Sequence, residues 1–197
     1  GAADFLEHKL KDPAAAYARL AALATDGHAD LAVFTRMADV ALRAGLAEQS
    51  AAALAQAAAH SSGPNRASYE RRAAIVYAQS LNRPADAREA LRRALASDPL
   101  DIDALEALAA AADPDEPELT SSEMFLHELW SALRTEPSDP RLLRSLARCG
   151  RLRSDTTLEY LALSTLSALG LANGDEHAAL ATVRQALPAL PSGAISD

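Results

Sequence analysis

The chain has little of what most folds are recognised by. Of its 197 residues one is cysteine (Cys149) and one tryptophan, aromatics make up 4%, and the only lysines are Lys9 and Lys11. A single cysteine excludes internal disulfides and leaves the redox compartment open. The longest unbroken apolar run, 107–112, is far short of the ~20 residues a membrane-spanning helix needs. No charged-then-apolar leader of the secretory kind is present. Almost no stretch shows the alternating, β-branched pattern of a strand. The formal charge of −8 is the wrong sign for a general nucleic-acid binder, which must neutralise phosphates.

Chemistry-bearing motifs are lacking too. No glycine-rich phosphate loop, nucleophile elbow or HExxH helix occurs. The five histidines, at 8, 28, 60, 127 and 177, are scattered, whereas zinc wants three or four ligands within tetrahedral reach. His127 has Glu123 and Glu128 nearby on one helix, a pattern better explained by a solvated face. Cys149 follows Arg148, a cation that could lower the thiol pKa, although a semi-buried inert thiol is the simpler reading. Sequence alone therefore predicts no enzyme, no metal and no cofactor.

What the chain does have is alanine, roughly a quarter of all residues. Alanine has the highest helix propensity, and its small side chain lets helices approach closely. An all-α fold of short, tightly packed helices follows. Residues 70–99 give the clearest unit. Small Ala74 and then Tyr77 mark one helix and Asn82-Arg83-Pro84 a turn, while Ala87, Leu91 and Ala94 mark a second helix that Pro99 closes. Upstream, Phe34, Met37, Ala38 and Ala41 repeat the first helix, Gly45 supplies a turn, and Ser50, Leu54 and Ala57 repeat the second. Pro13, Ala16, Leu20 and Leu23 read as an earlier second helix whose first helix is only partly present. Downstream, Leu105, Leu108 and Ala109 restate the first helix. An acidic, proline-bearing turn follows at 113–119, with N-cap candidates at Thr120 to Ser122, and then Phe125, Leu129, Ala132 and Pro137. Leu143, Leu146 and Ala147 open another first helix.

These units resemble the tetratricopeptide (TPR) repeat in their small, aromatic and proline positions. The small anchors Ala38, Ala74, Ala109 and Ala147 recur every 35 to 38 residues, close to the ~34 of that family. The resemblance implies a right-handed α-solenoid of about four to five antiparallel helix pairs. It would be a single repeat domain over 1–191, with a partial unit at 1–28, units at 29–63, 65–100 and 101–138, an irregular or capping unit at 139–191 and a disordered tail at 192–197. HEAT-like and other helix-pair solenoids are the structural alternative. For the last unit two pairings are open. Either 155–191 is a complete repeat, or 155–171 is the second helix of 140–149 and 175–188 a cap. The chain begins at Gly1 inside a repeat, which suggests a piece of a longer bacterial protein, with a cytoplasmic location favoured.

Charge is segregated along the sequence. From Asp101 to Asp139 the only Lys or Arg is Arg134; then Arg141, Arg144, Arg148, Arg151 and Arg153 follow with no acid until Asp155. On a helix 141, 144 and 148 share one face, with Leu143, Leu146 and Ala147 inward. The TPR resemblance places Arg141, Arg144, Arg148 and Arg151 at groove-facing positions of a first helix. Neighbouring first helices would add Asp103 and Glu106, then Ser68, Arg71 and Gln79, then Thr35, Asp39 and Arg43. Two readings stand: the arginines receive carboxylates of an acidic partner, or they pair with acids of the preceding repeat. The lysine–asparagine clamp of chaperone-binding relatives is unmatched, because Thr35 and Asp39, or Arg71 and Ile75, stand there. The expected function is a non-catalytic scaffold or adaptor that holds a partner's peptide or helix, with no nucleic acid and no membrane insertion. A self-assembling segment of a longer repeat protein is the alternative.

Overall fold

A computed structural model describes residues 12–25, 30–111 and 119–187. The predicted partial helix at the start, the turn at 113–118 and the predicted tail lie outside these described residues. Every regular element among them is helical, and the chain falls into two compact units, Gly1–Glu118 and Leu119–Asp197.

In the first unit α1 spans Pro13–Thr25, α2 Leu31–Arg43, α3 Ala47–Ala59, α4 Gly63–Ile75, α5 Pro84–Ser97 and α6 Ile102–Ala110. Helix starts follow local chemistry. Asp30 and Asp101 accept hydrogen bonds from the Val33 and Ala104 amides, which the open first turns of α2 and α6 would otherwise leave unpaired. Prolines at the first turns of α4 and α5 surrender a donor that has no intrahelical partner there. The hairpins α2–α3 and α4–α5 are the most extensively packed pairs of this unit.

The stripes read from the sequence are the buried ones. Ala38, Ala74, Leu54, Ala57, Ala87, Leu91 and Ala94 are all buried. The buried hydroxyl of Ser50 is satisfied by donating to the Ala38 carbonyl at 2.9 Å, which fixes α3 against α2. Ala109 is only half-buried; Ala104, Leu105 and Leu108 carry the buried face of α6 instead. Beyond Ile75 the helix widens into a π-helical stretch over Val76–Ser80, and it stops at Asn82, whose φ of 53° is left-handed. The Arg83 amide then donates to the Tyr77 carbonyl at 2.8 Å. This is the turn anticipated at Asn82-Arg83-Pro84.

The second unit contains α7 (Leu119–Thr135), α8 (Pro140–Leu152), α9 (Thr156–Ala168) and α10 (Gly174–Ala186). Thr120 to Ser122 lie inside α7 and not before it, so they cannot cap it from the N-cap position. Asp139, Asp155 and Asn173 cap the next three helices, and Asn173 with Glu176 closes a full capping box. Phe125, Leu129, Leu143, Leu146, Ala162, Leu163 and Leu166 form the buried face. Helix α8 packs most extensively against α9, more than α9 does against α10. Consistent with that, Ala162 and Leu166 are fully buried, whereas of Ala179, Val183 and Ala186 only Val183 is.

Gly150 sits at the α8–α9 crossing. A Cβ there would lie 2.7 Å from the Glu159 amide nitrogen, so this close approach requires glycine.

Candidate functional site

Two grooves, one in each unit, are built from equivalent residues of the repeat. In the second unit Arg144, Ala147, Arg148 and Arg151 of α8 form one wall. Glu159 and Leu163 of α9 form the floor, and Asp175, Glu176, Ala179 and Val183 of α10 the opposite wall, around a cavity of about 620 Å³. In the first unit Arg71, Ala74, Ile75 and Ala78 of α4 and its π-helical extension, with Gln79, face Asp103, Ala107 and Ala111 across Ala87 and Leu91. That cavity is about 250 Å³. Arg71 and Arg144 occupy the same register: each donates to a carboxylate 32 residues ahead, Arg71 to Asp103 and Arg144 to Glu176. By that register Ala74 matches Ala147, Ile75 matches Arg148 and Ala78 matches Arg151. Helix α10 thus stands where a first helix of a following repeat would stand.

Ion pairs organise the second groove. Arg144 Nε donates to Glu176 Oε1 at 2.6 Å, and its Nη2 donates to Glu176 Oε2 at 3.3 Å and to the Leu171 carbonyl at 3.0 Å. Hydrogen bonding from Arg144 holds the Glu176 carboxyl below its ordinary pKa, against a smaller desolvation effect. Arg151 Nε and Nη2 both reach Glu159 Oε1, at 3.0 and 2.8 Å. Glu159 is 7% exposed while the Arg151 side chain is 62% exposed. A buried carboxylate therefore orients an exposed guanidinium, leaving the rest of its planar fork to the groove. Arg148 also has partners within the fold.

Arg141 does not join this wall. Its guanidinium turns back to the N-cap carboxylate of its own helix, Nη2 to Asp139 Oδ2 at 2.8 Å. With the side-chain and backbone bonds from Arg141, the Asp139 pKa falls to about 2.

In the first unit the groove-facing polar residues are tied to the next first helix. Arg71 Nη1 donates to Asp103 Oδ2 at 3.1 Å, and Nε lies 2.8 Å from Asp101 Oδ2, out of line for a hydrogen bond. Burial nonetheless pushes the Asp101 carboxyl up, outweighing its backbone bond and Arg71. Asp39 pairs with Arg72, one repeat on. The Thr35 hydroxyl donates to Leu31 O at 2.8 Å and lies 3.3 Å from the Tyr69 hydroxyl. Asp39, Thr35 and Tyr69 line a shallower hollow on α2 and α4. Glu106 and Arg43 fall outside these three hollows, and both have partners within the fold. The face α6 offers to its groove is Asp103, Ala107 and Ala111, one position away from Glu106.

Two further sequence expectations can be placed. His127, Glu123 and Glu128 are all exposed along α7, and no metal-binding cluster of acids, histidine and cysteine occurs among the described residues. Cys149 is buried, and burial raises its pKa despite Arg153 nearby, so desolvation outweighs the cation. The residues missed from sequence are Glu159 and Glu176. The first is an isolated acid in an apolar helix and the second the acid of a capping box. Only the capping-box pattern Asn-x-x-Glu carried a signal.

The geometry defines an all-helical repeat protein whose helices pack in consecutive pairs. Among solved structures it is similar to a tetratricopeptide repeat protein from Parabacteroides merdae, at 15% identity and a TM-score of 0.52, over 92% of this chain and 69% of that one. At that identity the likeness establishes the fold. MamA is a weaker neighbour, at 14% identity and a TM-score of 0.44 over 84% of this chain and 95% of its own. No protein-family model and no curated protein sequence matches the chain. Among the described residues no helix is long and apolar enough to cross a membrane.

Proposed function

We propose that this chain is a non-catalytic interaction module. It holds a peptide or helix of a partner protein in the grooves between successive first helices. One observation carries this reading: the same first-helix wall is built twice at one register, with the scaffold positions kept and the facing positions varied. Arg71 and Arg144, and Ala74 and Ala147, are retained at one register and a leucine (Leu91, Leu163) stays on each floor, one step out of that register, while Ile75 and Ala78 give way to Arg148 and Arg151. The second groove suits an acidic segment, because Arg151 is held outward by Glu159 and charge-assisted bonds to carboxylates are the strong ones. Arg141, Arg71, Gln79, Asp39, Arg43 and Glu106 are then peripheral contacts or parts of the scaffold.

Selection of peptides from a random library on the immobilised protein tests this. Acidic peptides should be enriched, and Arg148→Gln with Arg151→Gln, which keeps an amide donor beside buried Glu159, should weaken their binding at least tenfold in protein that circular dichroism shows to be folded. Selected peptides that bind the folded variant equally well would remove the arginine wall from the proposal.

Self-association is a second reading, favoured by the exposed Leu161, Leu169 and Leu171 of the second unit. Light scattering across a concentration series checks it, and a strict monomer counts against it.

A further inference from the structure

The wall formed by α10 is attached differently from its counterpart α6. Helix α6 buries Ile102, Ala104, Leu105 and Leu108, whereas α10, although longer, buries only Val183 among the described residues. A cavity of about 620 Å³ stands between α8 and α10. Across its mouth runs the Arg144–Glu176 pair, with Arg144 Nη2 also holding the Leu171 carbonyl just before α10. Little buried apolar surface together with a polar tether marks a segment of low local stability.

Glu176 is also suited to letting go. Its Oε2 accepts from the Asn173 amide at 2.8 Å, and its own amide donates to Asn173 Oδ1 at 2.9 Å. Released from Arg144, it keeps the capping box and is not left unpaired. Arg144, in turn, keeps the Leu171 carbonyl. Exchanging one carboxylate for another on Arg144 therefore keeps the guanidinium paired and leaves Glu176 its amide donor.

We propose that an acidic side chain of the partner binds by taking the place of Glu176 on Arg144, with α10 as the wall that yields. This rests on the groove reading given above and adds the order of events. A carboxylate is drawn in by Arg148 and Arg151, displaces Glu176, and loosens α10 from α8. Occupancy of the groove is thereby linked to the freedom of α10.

Glu176→Gln isolates the exchange, since glutamine at this position preserves the capping box and removes the competing charge. Hydrogen exchange would be followed in the full chain, with and without millimolar blocked tetraglutamate as the probe. In Glu176→Gln, residues 174–186 should exchange at least threefold faster than in the parent, while 156–168 stay unchanged. Saturating peptide should give the parent the same loosening, and Glu176→Gln should bind it about three- to tenfold more tightly. Arg144→Gln should loosen α10 and bind the peptide more weakly. Unchanged protection of 174–186 in Glu176→Gln overturns the latch. Peptide binding that protects Arg148 and Arg151 but leaves α10 closed, with no gain in Glu176→Gln, overturns the exchange and spares the groove reading. No peptide binding to any form overturns the carboxylate exchange together with the acidic-partner reading it rests on.

Discussion

The grooves of the two units share a frame and differ in what they present. Each has an arginine on a first helix reaching 32 residues ahead to an acid, a small residue one turn on, and a leucine on the floor. Between these fixed points the first groove exposes Ile75, at 54%, and Ala78, while the second presents half-buried Arg148 and exposed Arg151. A repeat can alter facing positions at little cost, because side chains there bury little area, whereas the frame positions hold neighbouring helices together. Frame and recognition are thus separable residue by residue.

Disrupting the frame should have the largest effect. Leu91→Ala and Leu163→Ala each remove a buried floor residue, and each should cost about 2–5 kcal/mol by denaturant unfolding. Hydrogen exchange should place the damage in the unit carrying the substitution. Equal loss of protection in both units would show that they do not respond separately. Next comes Gly150→Ala, which drives a methyl group against the Glu159 backbone and should cost about 1–3 kcal/mol. The same position in the first unit is Tyr77, half-buried between two core clusters, so close approach of the hairpin is a property of the second unit. A Gly150→Ala protein of parental stability would contradict that.

Acid separates the two tethers more finely. Glu176 has a depressed pKa in the fold, so it stabilises above its ordinary value near 4.5 and loses that contribution as pH falls through the lower folded value. Asp101 is the reverse. Its pKa is raised by burial, so its ionisation costs stability at neutral pH, and acidification through the folded value relieves that cost. Carboxyl NMR across an acid titration should show Asp101 titrating above the ordinary aspartate value and Glu176 below the ordinary glutamate value. An Asp101 that titrates below the ordinary aspartate value would mean that burial does not dominate there.

Much of the fold was legible because period, turns and caps are local. Gly45, Asn82 and Asn173 stand at observed turns, and Ala38, Ala74 and Ala147 are buried where the pattern places them. The π-helical stretch at 76–80 had no signal, since no residue type demands it. The arginine partners were misplaced for a different reason. The acidic block at 101–139 dominates the sequence, yet Arg144 and Arg151 are satisfied by single acids on later helices, Glu176 and Glu159. Which acid an arginine meets depends on the helix crossing and not on local charge density. The same limit explains Glu106, where one step of helical phase decides which residue faces the groove. It explains Cys149 as well, since its burial depends on the α8–α9 crossing.

The central claim is that Ile75 and Ala78 in one groove, and Arg148 and Arg151 in the other, decide what each groove takes. Isothermal titration of an acidic peptide selected on the parent protein tests it directly against the exchanged pair of variants. Arg148→Ile with Arg151→Ala should weaken binding at least tenfold. Ile75→Arg with Ala78→Arg, at exposed positions where stability should change by no more than about 0.5 kcal/mol, should add a second bound peptide per chain. Unchanged affinity in the first variant and unchanged stoichiometry in the second would contradict the account.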